Sequence, residues 1–300
     1  MLGGTRGRAP CNGRRRWVMS IVSGCAAGIL AAASARVAPA AVITFQDRTQ
    51  PTTAFQGIAT FIRSDKATNN FGRDAQVLIG TLGGTTSKLR GVFAYDLRTT
   101  GAVPPGSTIT DVSFALTVAV PEGGGSVSRN VTLEMHQLTG TITEGTGLSS
   151  PLTSTSDVTW NNRTTGAPWT TAGGDFSPTV LASVTADPTV VGDTTVLTFT
   201  GSGPSNPLVQ AAQAALDNPA SGIFEFAVKL PAGTSPGQEQ GTSRELFMFQ
   251  SDDNLNNNNA YDASVTPTLN VTTTSPEPAS AAILAVLAGG LLLRRRPRSR

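Results

Sequence analysis

Asp111-Val112-Ser113-Phe114-Ala115-Leu116-Thr117-Val118-Ala119-Val120 is the stretch that decides the fold. Val112, Phe114, Leu116, Val118 and Val120 fall on one side of an extended chain, and Asp111, Ser113 and Thr117 on the other. That period of two is the mark of a strand with one face in a core. The same alternation recurs outward along the chain. Val131, Leu133 and Met135 form the inward set of Val131–His136, and Phe224, Phe226, Val228 and Leu230 that of Ile223–Leu230. Val265, Pro267, Leu269 and Val271 repeat it near the end, where the proline predicts an edge strand. Further strands are predicted near Thr60–Arg63, Gln76–Ile79, Leu89–Leu97, Thr195–Phe199 and Glu245–Phe249, between turn-forming clusters such as Val103-Pro104-Pro105-Gly106 and Glu122–Gly125. One segment reads as a helix: Asn206-Pro207 caps and starts it, Leu208–Leu216 is rich in Ala and Gln, and Asn218-Pro219 stops it. Many strands and one short inserted helix predict an all-β sandwich.

The two ends are of another kind. Arg14, Arg15 and Arg16 precede a mostly apolar run from Trp17 to Ala33, and small-residue sites follow at Ala33-Ser34-Ala35 and Ala38-Pro39-Ala40. This is a secretory signal peptide of about 40 residues, with cleavage expected after Ala40 because Val42 opens the first strand; Ala35 and Ala41 are the alternative cleavage positions. Val22-Ser23-Gly24-Cys25 fits a lipoprotein box loosely, and the paired arginines fit a twin-arginine signal loosely. At the other end, Pro276-Glu277-Pro278 is followed by an uncharged run from Ala279 to Leu293 and by Arg294, Arg295, Arg296, Arg298 and Arg300. Fifteen residues of helix span roughly 22 Å, short of a ~30 Å hydrocarbon core, and the arginines hold that end on the cytoplasmic side. The order of short motif, apolar span and basic tail resembles the PEP-CTERM sorting signal of exported bacterial proteins. The resemblance implies a short transmembrane helix held only transiently in the inner membrane, recognition by an exosortase, and processing near Pro276, Glu277 and Pro278.

These ends distort the composition. Both cysteines of the chain, Cys11 and Cys25, lie in the signal region, so the body at 41–274 is cysteine-free. Disulfides, thiolate metal sites and thiol nucleophiles are excluded there. Between residues 41 and 275 there are 11 Lys and Arg against 19 Asp and Glu, a net charge of −8 beneath a whole-chain value of +2. An acidic body is a poor phosphate binder, and no nucleic-acid partner is expected.

The body carries an ordered series of short motifs. Ala59-Thr60-Phe61-Ile62-Arg63-Ser64-Asp65 precedes Asn69-Asn70-Phe71-Gly72 and Val77-Leu78-Ile79-Gly80. Arg90-Gly91-Val92-Phe93-Ala94-Tyr95-Asp96-Leu97 and Val103-Pro104-Pro105-Gly106-Ser107 come next, then Asp157-Val158-Thr159-Trp160-Asn161, Trp169 and Gly173-Gly174-Asp175. The series resembles the DNRLRE domain over roughly residues 55 to 272. That resemblance implies a jelly-roll-like antiparallel sandwich related to carbohydrate-binding modules. Two departures set it apart: Arg90-Gly91-Val92-Phe93 replaces a more aliphatic run, and no catalytic domain sits beside the module.

Candidate site residues are few. Trp160 and Trp169 are the tryptophans of the mature chain. Exposed, either would stack on the apolar face of a sugar ring; buried, they pack the sandwich. His136, the single histidine, shares a strand face with Thr132 and Glu134, which is either a solvated face or a Glu/His acid–base pair. Asp252, Asp253, Asn254 and Asp262 supply hard oxygen ligands suited to Ca²⁺, or else form a polar turn. No Gly-x-Ser-x-Gly elbow and no local carboxylate pair nominates a catalytic centre.

The expected protein is exported to the cell envelope or matrix of a Gram-negative-type bacterium. It is non-catalytic, and either binds polysaccharide or serves as a structural part of the exopolysaccharide layer. The alternative is a polysaccharide-active lyase or glycosidase using surface carboxylates or His136. A third class is an architectural protein with no ligand. Signal peptidase and an exosortase are its expected partners during export.

Overall fold

The alternating stretch at Asp111 lies at the centre of a four-stranded sheet. The computed structural model of the chain describes residues 40–83, 87–119, 128–149, 153–154, 157–192, 194–253 and 261–274. Along the chain these form β1 (Ala41–Gln46), β2 (Ile58–Arg63), β3 (Asn69–Asn70), β4 (Gln76–Leu82), β5 (Lys88–Asp96), β6 (Thr108–Thr117), β7 (Val131–Leu138) and β8 (Thr153–Ser154). β9 (Asn162–Thr164), β10 (Ala167–Pro168), β11 (Phe176–Ala186) and β12 (Val196–Ser202) follow. Then come α1 (Pro207–Asp217), β13 (Ile223–Lys229), β14 (Arg244–Gln250) and β15 (Thr268–Thr274).

The strands pair antiparallel in two main sheets, an all-β sandwich. One has the order β1-β15-β6-β12; the other runs β11-β7-β13-β5-β4-β14, with β2 also on β5. The inward residues predicted for β6, β7 and β13 meet between them. Phe114 of the first sheet contacts Phe93 and Phe226 of the second, each with ring centroids 4.8 Å apart in edge-on geometry. All three rings are fully buried. Each contributes about 1.5–3 kcal/mol of burial, and each edge-on pair roughly 0.5–1.5 kcal/mol more.

The helix forms as its signals require. The Asn206 side chain accepts from Leu208 N at 2.9 Å, Pro207 takes the first turn, and Leu208, Val209, Ala212 and Leu216 are buried. Arg98 donates to the Leu216 carbonyl through Nε and Nη2, at 2.9 and 2.6 Å, which satisfies a helix C-terminal acceptor. The helix packs against β6, β11, β12 and β13, bridging the two sheets at one side. At Gly201 a Cβ would stand 2.3 Å from Asn206 Oδ1, so glycine is what lets the helix N-terminus seat on β12.

Two expectations are corrected, and one strand lies where none is predicted. β15 is an internal strand, bonded to both β1 and β6; Pro267 is tolerated because it precedes the strand, which begins at Thr268, with Val265 in a turn. β11, eleven residues long, was not anticipated. It is an edge strand carrying Pro178 and register shifts on either side of Val180, so its alternation is broken. His136 is not on a solvated face: the start of β11 covers it, leaving it 6% exposed. Ala40 is exposed just ahead of β1. Ala38, Asn254, the Pro276–Pro278 motif and the 279–293 span lie outside the described residues. Among the described residues no helix is long and apolar enough to cross a membrane.

Candidate functional site: an open sheet face and an acidic cavity

The outward side chains of the four-stranded sheet follow from the register. Opposite positions give the rows Val42–Thr272–Asp111–Ser202, Thr44–Asn270–Ser113–Thr200 and Gln46–Thr268–Ala115–Thr198. Rows of this kind repeat every ~6.7 Å along a strand, with strands ~4.8 Å apart. Within these twelve positions there is one charge, Asp111, and no aromatic ring. The rows are tied across strands: Thr44 Oγ1 donates to Asn270 Oδ1 at 2.8 Å, Gln46 Nε2 to Thr268 Oγ1 at 3.0 Å, and the Ser202 hydroxyl to Asp111. That last bond holds the Asp111 carboxyl below the usual range. A shallow depression of about 680 Å³ lies over two of the rows, rimmed by Asn206 at the helix start.

The outer face of the seven-stranded sheet is roofed. Residues between β7 and β11 fold back over it, and Ile62, Val92, Ala94, Leu138, Val158, Trp160, Trp169 and Ala227 form a second apolar cluster. Trp160 is 8% and Trp169 5% exposed, so both pack this roof and neither offers an open ring face. Trp169 Nε1 donates to the Thr159 carbonyl at 3.0 Å. Arg90 sits between the Trp160 and Phe176 rings, its Cζ 4.7 and 4.9 Å from their centroids. Its Nε and Nη2 donate to the two oxygens of Glu239 at 2.5 and 2.6 Å, and Nη1 to the Gly173 carbonyl at 2.5 Å. Gly173 has φ 96° and a Cβ there would meet both the Trp160 ring and the guanidinium, so two requirements converge on glycine. His136 belongs to the same covered face, with Nε2 3.2 Å from Glu134 Oε2 and Nδ1 3.1 Å from the Ser177 carbonyl.

A third feature lies where β1 ends. Asp47, Glu144 and Asp252 come from three separate connections and line one cavity of about 440 Å³. Asp47 accepts from Gly57 N at 3.1 Å and pairs with Arg48 Nε at 3.0 Å. Arg48 in turn donates to Asp253 Oδ1 at 2.7 Å and lies over the Tyr261 ring. Glu144 Oε1 accepts from Ala59 N at 3.2 Å, and the Glu144 carboxyl lies close enough to Asp252 for their charges to act on each other. Asp252 is 4% exposed and its Oδ1 has no hydrogen-bond partner among the described residues. Burial, reinforced by neighbouring carboxylates, pushes Glu144 up to about 8 and Asp252 well above the carboxylate range.

Of the oxygen ligands anticipated in 252–262, Asp252 and Asp253 join this cluster. Asp262 instead accepts from Ser264 N and Oγ at 3.0 and 2.6 Å, closing its own turn. Among the described residues no three His, Cys, Asp or Glu side chains converge closely enough to hold a metal ion. Asp47 and Glu144 carried no local signal, because only the fold brings them to Asp252. No protein-family model and no curated protein matches this chain.

Proposed function

We propose that this is an exported, non-catalytic sandwich of jelly-roll-like type that binds polysaccharide or is built into an exopolysaccharide layer. It carries an N-terminal signal peptide and a PEP-CTERM-type tail, and its sandwich is of the DNRLRE kind. The observation that carries the binding reading is the open, nearly uncharged grid of hydroxyl and amide groups on the four-stranded sheet. Such groups can both donate and accept towards sugar hydroxyls, and the broad depression leaves room for a chain lying across the strands.

A polysaccharide-active enzyme is the second reading, and one observation favours it: a carboxyl pair with raised proton affinity in a cavity. The geometry argues against it. Glycosidic cleavage needs two carboxyl groups open to the scissile bond, whereas Asp252 is only 4% exposed.

The test is purified 41–275 on a panel of acidic and neutral polysaccharides, with and without Ca²⁺, following retention and release of reducing ends or unsaturated products. Saturable retention without product is the expected result. Product formation would establish the enzyme, and no retention on any glycan would leave an architectural protein.

A further inference from the structure

Charge is divided unevenly between the two sheets. The four strands of the open sheet, β1, β15, β6 and β12, contain no Lys or Arg, and Asp111 is their single acid. The helix that rims the face, α1, adds no cation. The seven-stranded sheet, by contrast, carries Arg63, Lys88, Arg90, Lys229 and Arg244 on its strands.

Asp111 stands among the residues of the depression. In its row Thr272 lies on one side and Ser202 on the other, and Ser113 follows two residues along the same strand face. The Ser202 hydroxyl donates to the carboxylate, which ties the side chain into the row and favours its ionised form. No Lys, Arg or His lines the depression among the described residues. The negative charge is therefore uncompensated, and it sits where a chain crossing the strands would lie.

The chemistry of the chain follows from this. A polymer bearing uronate or sulfate groups brings like charge against Asp111 and finds no cation to receive it, and such juxtapositions suppress the wrong partner. A neutral polymer meets no such barrier. Its hydroxyls can donate charge-assisted hydrogen bonds to the Asp111 carboxylate and exchange ordinary ones with Ser113, Thr200 and Asn270. Val42, 67% exposed at the edge of the same row, offers contact for the apolar side of a sugar ring.

We propose that the open face selects neutral over acidic polysaccharide, and that Asp111 is the residue that sets this selection. The proposal rests on the glycan reading above and names the class of chain that the face takes. Asp111 acts twice: it accepts from sugar hydroxyls, and its charge turns away anionic groups.

The test is retention of the secreted protein on immobilised glucan, mannan and galactan, each beside the same polymer oxidised at its primary hydroxyls to the uronate, in Ca²⁺ and in chelator. The members of a pair share a backbone and differ in charge. The account predicts that a retained neutral polymer binds roughly tenfold or more tightly than its oxidised form, with or without Ca²⁺. Raising the salt should leave neutral binding nearly unchanged and narrow the ratio, because repulsion by an exposed charge is screened. Asp111→Asn keeps the size of the side chain and removes its charge; it should cut the ratio roughly threefold or more, with melting temperature as the folding control. A ratio that this variant leaves unchanged would overturn the role of Asp111. Equal or tighter binding of the oxidised forms would overturn the selectivity and leave the glycan reading standing. Failure of every neutral polymer to bind would overturn the proposal, and the glycan reading would then survive only on retention of an acidic polymer.

Discussion

The outer faces of the two sheets begin from the same strand chemistry and end differently. On the seven-stranded sheet, the excursion between β7 and β11 covers the face, and the large or charged residues there are consumed in packing: Trp160, Trp169, Arg90, Glu239 and His136 are all buried. The four-stranded sheet has no such roof among the described residues, and its outward positions are short, hydroxylated and nearly uncharged. A tryptophan in a loop is therefore a poor guide to a binding surface in this protein. The aromatic residues mark the face that is closed, and the plain Thr, Ser and Asn positions mark the one that is open.

Trp169→Ala breaks the closed face most severely. Removing a buried indole costs about 3–5 kcal/mol, so denaturant unfolding should show a loss of that order, with glycan retention unchanged in the protein that remains folded. Reduced retention at full stability would return Trp169 to the contact surface. Arg90→Met comes next, with a loss of roughly 3 kcal/mol, because it leaves Glu239 buried without its partner. The double replacement Arg90→Met with Glu239→Leu should recover much of that loss, and an additive double variant would contradict the buried-pair account.

The cavity gives the third contrast, through pH. Glu144 has its proton affinity raised by desolvation to about 8, and Glu225, likewise half-buried, to about 7. Each raised carboxyl holds its proton in the folded state after the unfolded chain has lost it. Stability from these groups is therefore fully present below about pH 4.5 and falls as pH rises towards 7 and 8. Urea midpoints should decline across that window, and Glu144→Gln should flatten the upper part of the decline. A flat wild-type profile would mean that the pair is not desolvated. The smallest stability effect belongs to the open face: Thr200→Lys should shift stability by no more than about 0.5 kcal/mol.

The legible parts of this molecule are those with local signals. Period-two alternation located β6, β7 and β13 to within a few residues, strands were also expected at β5 and β14, and Asn206-Pro207 located the helix start. β11 escaped because Pro178 and its bulges break the alternation that an edge strand does not need to keep. Pro267 misled for the opposite reason, standing one residue outside an internal strand. The burial of Trp160 and Trp169 depends on where the β7–β11 excursion lies, and the Asp47–Glu144–Asp252 set depends on three connections meeting. Both are tertiary events with no periodicity to announce them. The open face was present in the sequence all along as the polar half of each alternating strand, but only the strand order turns those halves into a surface.

The central claim is that the open face makes the glycan contact. It is tested most directly by comparing wild type with the double variant Thr200→Lys, Thr272→Lys on the polysaccharide panel, with melting temperature as the folding control. The account predicts saturable wild-type retention without product, lost in the variant at a nearly unchanged melting temperature. Equal retention by both proteins, or release of product by the wild type, would contradict it.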